Sequence, residues 1–320
     1  MSDFDVFNGD ADGICSLIQL RLSEPRNAKL VTGVKRKIDL LKEVDAIKGD
    51  RVTVLDVSME KNAASLTRLL DGGASVFYAD HHRAGDIPEH PNLDAHIDTS
   101  PEICTALIID KILNGAHRAW TVTAAFGDNF LEPARRAAAP LGLSNDELAR
   151  LERLGTLINY NGYGANEEDL YYRPAELFKQ LVPFATPMSF MAENADVYER
   201  LDQGYQSDMA HAESARALKE DDVISVKLLS NAPASRRVSG VFGNALAQAH
   251  KSRAHAILTD KGDGGYVVSV RAPLTNRVGA GELCSQFETG GGRSAAAGIN
   301  HLAECDVDKF ISAFEAAYRP

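Results

Sequence analysis

Short apolar runs alternate with helical patterns through residues 1–130, and this alternation limits the possible folds more than any other feature of the chain. The runs have the length of strands, and the segments between them carry apolar residues at helical spacing. Such alternation predicts βαβ units and an α/β fold with a parallel sheet, in which ligands bind beyond the carboxyl ends of the strands. The predicted strands are residues 4–7, 29–34, 51–57 and 74–79, and the predicted helices are 13–22 and 62–70.

Acidic or imidazole side chains follow three of these strands, and another follows segment 122–126, which we also interpret as a strand. Because neighbouring parallel strands end at the same edge of a sheet, we expect these side chains to cluster. A cluster of this kind is unfavourable without a cation. Oxygen ligands with imidazole favour Mn²⁺, and Mg²⁺ is the alternative ion. The side chains concerned are Asp10, Asp12, Asp56, Asp80, His81, His82 and Asp128.

Composition indicates a folded protein that does not coat long nucleic acids. Of 320 residues, 44% are hydrophobic, which is enough for real cores. The net charge of −11 disfavours dense contact with a polyphosphate backbone. Residues 231–300 nevertheless carry eight basic and four acidic side chains, so a basic surface is predicted there. With no secretory signal, no membrane span and four well-separated cysteines, we expect a cytoplasmic protein without membrane partners.

The remaining chain divides by pattern into a helical and a β-rich part. Residues 131–225 read as helical, including a long segment at 192–219, and strand patterns return after about residue 222. Residues 262–265 are typical of a hairpin turn between two of these strands. We therefore predict three parts: a metal-binding domain at 1–130, a helical connector at 131–225 and a smaller α/β domain at 226–320.

Six motifs together resemble those of the DHH phosphoesterases that carry a DHHA1 domain. They occur in the family's order between residues 8 and 298 and read DADG, LDVS, ADHH, GDN, VSVR and GGGRSAAAG. The resemblance implies two lobes around a cleft, with two metal ions, usually Mn²⁺, in the N-terminal DHH lobe. It also implies a C-terminal DHHA1 lobe that binds the terminal phosphate or base of the substrate.

The resemblance assigns a role to each matched residue. Asp56 would bridge the two ions, and His82 would orient or protonate the substrate beside Asp80. The implied metal ligands are Asp10, Asp12, Asp56, His81 and Asp128, the catalytic pair is Asp80 and His82, and the substrate-binding residues are Arg271, Gly290, Gly291, Gly292 and Arg293.

Two positions depart from the family pattern. Asn8 stands where many members have His or Asp, so the shell of one ion is altered. Arg293 replaces a usual His; it still binds phosphate but does not transfer a proton at neutral pH.

Structural alternatives stay open for several of these motifs. Asp10 and Asp12 could cap a helix, and Asp98 could rival Asp128 as a ligand, although a cap suits Asp98 better. The glycine run could be a flexible turn, and Arg271 could be a solvated edge arginine. Lys35-Arg36-Lys37 is typical of a solvated charge run, with phosphate contact as the alternative.

We expect a metal-dependent phosphoesterase that hydrolyses small nucleotides through a water activated by two metal ions. The candidate substrates are short oligonucleotides, dinucleotides, bisphosphorylated nucleosides and nucleotide alarmones. The alternatives are an inorganic pyrophosphatase or polyphosphatase, and a non-catalytic nucleotide-binding regulator. The resemblance also allows a homodimer.

Overall fold

The computed structural model describes residues 1–319, which fold into two compact units. The first is Met1–Gln203 and the second begins at Gly204. The boundary falls inside the segment predicted as a connector, so residues 131–203 belong to the same unit as the N-terminal sheet.

A parallel sheet forms the centre of the first unit, as the alternation predicts. Its strand order is β2-β1-β3-β4-β5, and every neighbouring pair is parallel. β3 ends at Leu55 because Asp56 takes a left-handed conformation (φ 57°), which stops the extended chain. The elements are β1 (Asp3–Phe7), α1 (Ala11–Ser23), β2 (Lys29–Val31), β3 (Arg51–Leu55), α2 (Met59–Asp71), β4 (Ser75–Asp80) and β5 (Leu93–Ile97).

The rest of the first unit is helical. The prediction of a strand at 122–126 is wrong, because these residues lie within a helix. Every residue from Thr121 to Gly127 is buried, so the helix shows no polar face and its apolar run mimics a buried strand. The helices are α3 (Thr105–Ile112), α4 (Arg118–Gly127), α5 (Leu131–Ala138), α6 (Asn145–Asn161), α7 (Pro174–Leu181), α8 (Pro187–Glu193) and α9 (Ala195–Glu213), which crosses the boundary between the units.

A mixed sheet forms the second unit, with the order β10-β11-β9-β8-β7-β6. β7 and β8 are parallel, and the turn at 262–265 joins the antiparallel β8 and β9 as predicted. Residues 216–219 are not helical, because they form part of an edge strand. The elements are β6 (Arg216–Glu220), β7 (Ile224–Leu229), α10 (Pro233–Ala249), β8 (Ala254–Asp260), β9 (Gly265–Arg271), α11 (Ala280–Cys284), β10 (Gly290–Gly292), β11 (Ala296–Ala303) and α12 (Val307–Tyr318).

A buried ion pair fixes α1 against the sheet. The Arg21 guanidinium on α1 donates to both carboxylate oxygens of Asp5 on β1, at 2.8 and 2.6 Å, and to Thr53 Oγ1 on β3 at 3.0 Å. Both charged side chains are at most 5% exposed. The pair therefore joins the last turn of α1 to β1 and β3.

We predict that Arg21→Met lowers the free energy of unfolding by about 3–5 kcal/mol, because it leaves the Asp5 carboxylate buried and unpaired. Arg26→Met is the matched control. It removes the pair with the 59% exposed Glu24 and should cost less than about 1 kcal/mol. Urea denaturation measures both values. Equal losses in the two variants would contradict the assigned importance of the buried pair.

Candidate metal centre

Asp10 and Asp12 both receive backbone N–H groups at helix starts. Asp10 is the N-cap of α1, and its Oδ1 accepts the N–H groups of Asp12 and Gly13, both at 3.1 Å. Asp12 accepts the N–H groups of Thr105 and Ala106 at the start of α3, both at 2.7 Å. The capping alternative is therefore correct for Asp10. Because each carboxylate oxygen has two lone pairs, capping still leaves capacity for a cation.

Gly13 allows the tight turn that presents these two carboxylates. A Cβ atom at this position would lie 2.2 Å from the backbone oxygen of Asn8. Only glycine fits this contact, which explains the glycine in the DADG motif.

Asp56 is held in a strained conformation at the end of β3. Its φ of 57° is uncommon for a residue other than glycine, and its N–H donates to the carbonyl of Ala79 at 3.1 Å. Burial raises the pKa of Asp56 well above its usual value, and the neighbouring carboxylates raise it further. Strained residues of this kind concentrate at functional sites. The carboxylates that repel Asp56 are those of Asp10, Asp12, Asp128 and Asp80.

His81 presents a ring nitrogen to three carboxylates. Its Nδ1 lies 2.9 Å from the carbonyl oxygen of Ile103, an acceptor, so Nδ1 donates a proton to this oxygen and Nε2 is the ring nitrogen that faces the cluster. Nε2 lies 3.5 Å from Asp56 Oδ1 and 3.9 Å from both Asp12 Oδ2 and Asp128 Oδ2. Asp128 reaches this cluster from the C-terminus of α4.

Asp80 and His82 form a carboxylate–imidazole pair beside the cluster. His82 Nδ1 donates to Asp80 Oδ1 at 2.7 Å, and this hydrogen bond raises the pKa of His82. The other oxygen of the fully buried Asp80 has no hydrogen-bond partner among the described residues. The His82 side chain is 46% exposed, so Asp80 fixes one ring nitrogen while the ring remains accessible.

The donor atoms lie close enough together to hold a divalent ion. Two groups of residues bring ligand atoms close together, and both contain His81. Ligand atoms around an octahedral ion are about 3–4 Å apart, which agrees with the separations given above. Burial also raises the pKa of Asp128, to about 6, so the carboxylates are unfavourable together without a cation. The two groups are Asp12, His81 and Asp128, and Asp56, His81 and His82.

Lys35 lies among these carboxylates, and the solvated-run interpretation is wrong for it. Its Nζ lies 2.6 Å from Asp10 Oδ2 and 3.0 Å from both Asp128 Oδ1 and Asn159 Oδ1. Burial lowers the pKa of Lys35, but Asp10 and Asp128 outweigh this and hold it above its usual value. Lys37 instead pairs with Glu43. Neither Lys35 nor Asn159 belongs to a motif, so the sequence does not indicate their place in the cluster.

The predicted substrate-binding residues all lie in the second unit. The Arg271 guanidinium donates to Asn244 Oδ1 at 2.6 Å and to Ser269 Oγ at 2.9 Å, so it ties β9 to α10. Gly290, Gly291 and Gly292 form β10, and a Cβ at Gly290 would lie 1.9 Å from the Cys284 carbonyl oxygen. Arg293 is exposed at the turn into β11. Their contact with substrate stays a prediction.

No family model and no curated protein matches this chain. Among solved structures, a manganese-bound RecJ exonuclease matches with a TM-score of 0.63 and 16% identity, covering 100% of this chain and 90% of RecJ. RecJ from Thermus thermophilus in complex with Mn²⁺ matches with a TM-score of 0.63 and 17% identity, over 98% of this chain and 51% of that protein. The chain therefore spans about half of the Thermus protein.

A third solved structure matches over nearly its whole length. PggH from Vibrio cholerae, a pGpG-specific phosphodiesterase, matches with a TM-score of 0.58 and 17% identity, over 99% of this chain and 98% of PggH. The chain has a RecJ-like fold, as the motifs predict. Within residues 1–319, no helix has the length and apolar character required to cross a bilayer.

We predict that Asp56→Asn stabilises the metal-free protein and removes its stabilisation by Mn²⁺. Asparagine tolerates the left-handed conformation and carries no charge, and each unit of raised pKa corresponds to about 1.4 kcal/mol. The variant should therefore have a higher free energy of unfolding than the wild type at pH 7 without metal. This gain should shrink as the pH falls and disappear only below about 4, the usual pKa of an unfolded Asp, where the carboxyl is protonated in both the folded and unfolded states.

Thermal denaturation with and without Mn²⁺ measures both effects. Asp71→Asn, an exposed site on α2, is the matched control and should leave the Mn²⁺ response intact. A destabilised Asp56→Asn variant that still responds fully to Mn²⁺ would contradict the assignment of Asp56 to the centre.

Proposed function

We propose that this chain is a divalent-metal-dependent hydrolase of phosphate esters in small nucleotides, with Mn²⁺ as the preferred ion and Mg²⁺ as the alternative. The substrate class comprises short oligonucleotides, dinucleotides, bisphosphorylated nucleosides and nucleotide alarmones. The observation that carries the proposal is the position of His81 Nε2, which lies within 3.9 Å of the carboxylates of Asp12, Asp56 and Asp128.

The residues that would hold the ion are Asp12, Asp56, His81 and Asp128. The bound ion would polarise a phosphoryl oxygen and lower the pKa of a coordinated water. The chain fixes this ligand set through the carbonyl of Ile103 and the N–H groups at the start of α3. Ligands held in place by such contacts need little reorganisation when an ion enters.

His82 is the proposed proton carrier. Because Nδ1 is engaged by Asp80, Nε2 is the nitrogen that meets an oxygen of the substrate. The carboxylate of Asp80 favours the protonated ring, which suits donation of a proton to the leaving oxygen.

A small substrate is supported by two observations. PggH, a pGpG-specific phosphodiesterase, corresponds to this chain over almost the whole length of both proteins. The net charge of −11 also disfavours long polyanions. The basic segment 231–300, with Arg271 and Arg293, is the proposed contact for the rest of the substrate.

The test is chromatography of pApA and pGpG after incubation with the full chain, with Mn²⁺ and without metal. We expect Mn²⁺-dependent release of mononucleotides. His82→Gln should lower kcat by about 10²–10⁴-fold, since a general acid contributes about that factor. Asp71→Asn should remain fully active.

Two other outcomes would replace the proposal, and a third would change the role of one residue. Hydrolysis of pyrophosphate or polyphosphate alone would indicate an inorganic phosphatase. Mn²⁺ and nucleotide binding without turnover of any tested phosphate ester would indicate a regulator. A His82→Gln variant with unchanged kcat would remove His82 from proton transfer.

A further inference from the structure

Lys35 is a fixed positive charge in the centre that the proposed reaction does not use. An ammonium group has three N–H donors, and Lys35 has three oxygen acceptors within 3.0 Å, one each on Asp10, Asp128 and Asn159. Its side chain is only 25% exposed, and Nζ lies 5.9 Å from the centre of the Tyr163 ring. The ammonium group is therefore enclosed and saturated.

The backbone of Lys35 is also anchored at this position. Its N–H donates to the carbonyl of Gly162, just after α6, at 2.9 Å. Its carbonyl lies 3.5 Å from the amide nitrogen of Asn8, at the end of β1. The residue is thus held between two elements that border the centre, so its side chain is positioned by the fold.

Asp10 and Asp128 divide their oxygens in a way that limits what else they can bind. Asp10 Oδ1 accepts N–H groups at the start of α1, and Asp10 Oδ2 pairs with Lys35. Asp128 Oδ1 accepts a hydrogen bond from Lys35, and Asp128 Oδ2 faces His81 Nε2. Asp128 therefore links the ammonium group to the proposed ion, as a bridging carboxylate links two metal ions.

Two neutral amides contact Lys35. Asn159 accepts from its ammonium group and Asn8 faces its backbone carbonyl, and both amides are buried. A divalent ion has a strong preference for carboxylate ligands, whereas a single positive charge is well satisfied by two carboxylates and one amide oxygen.

The geometry points to Lys35 as a built-in cation in the place of a second divalent ion, so that the centre binds one divalent ion per chain. An ion about 3.5–4 Å from the first would need the oxygens of Asp10 and Asp128 that now hold the ammonium group, and the ammonium group would repel it. Lys35 is then a positioning residue that holds Asp10 and Asp128. The inference depends on the proposed function only in requiring that the centre binds metal.

Manganese stoichiometry on the full chain tests this directly. Equilibrium dialysis with metal analysis should give one Mn²⁺ per wild-type chain at saturation, with the electron paramagnetic resonance signal of an isolated ion. The double variant Asn8→Asp/Lys35→Met adds a carboxylate and removes the ammonium group. It should bind two Mn²⁺ and show the signal of a magnetically coupled pair.

Lys37→Met is the matched control, because Lys37 lies two residues away and pairs with Glu43 outside the cluster. It should bind one Mn²⁺, like the wild type. Circular dichroism of each variant establishes that it is folded, and the wild-type stoichiometry is decisive by itself if the double variant does not fold.

The outcomes separate this inference from the proposed function. Two ions in the wild type would overturn the role of Lys35 and leave the metal-dependent function standing. A single ion in the folded double variant would show that Lys35 does not exclude the second ion. No bound Mn²⁺ in the wild type would refute the metal centre, and both proposals with it.

Discussion

Mutual repulsion among carboxylates at one edge of a parallel sheet is the constraint on which the rest of this site depends. Asp10, Asp12, Asp56 and Asp80 are each at most 2% exposed, so water provides little screening. The raised pKa of Asp56 expresses the cost in free energy. Three groups offset this repulsion. They are the backbone N–H groups at two helix starts, the ammonium group of Lys35 and the proposed divalent ion.

The strand-end motifs were predictable because they follow from two short-range properties of the chain. Strand length and apolar character place Asp56 and Asp80 at the ends of their strands, and a parallel sheet brings strand ends together. Asp128 is different, because the pattern before it predicts a strand and the structure has the helix α4 there. Residues 120–127 of this helix are all buried, so the sequence lacks the periodic polar residues by which a helix is distinguished from a buried strand.

Lys35 and Asn159 could not be predicted because their role is set by tertiary contacts. The three charges of Lys35-Arg36-Lys37 look alike in sequence, yet Lys35 enters the cluster, Arg36 is exposed and Lys37 pairs with Glu43. Lys35 differs from its two neighbours because it contacts Asn159 near the end of α6. These two residues are 124 positions apart in the sequence. Periodicity and composition describe neighbours along the chain, and they contain no information on such a contact.

A lysine and a divalent ion differ in more than charge as partners for the same carboxylates. The ion exchanges with solution and its occupancy follows its concentration, whereas the ammonium group is present in every folded molecule. Asp128 contacts Lys35 through Oδ1 and faces His81 Nε2 through Oδ2, so in the proposed centre Lys35 holds one ligand of the exchangeable ion in position. The neutral side chain of Asn8 agrees with this proposal. In a centre with one divalent ion, a carboxylate at position 8 would have no ion to bind, and the amide avoids one more buried charge.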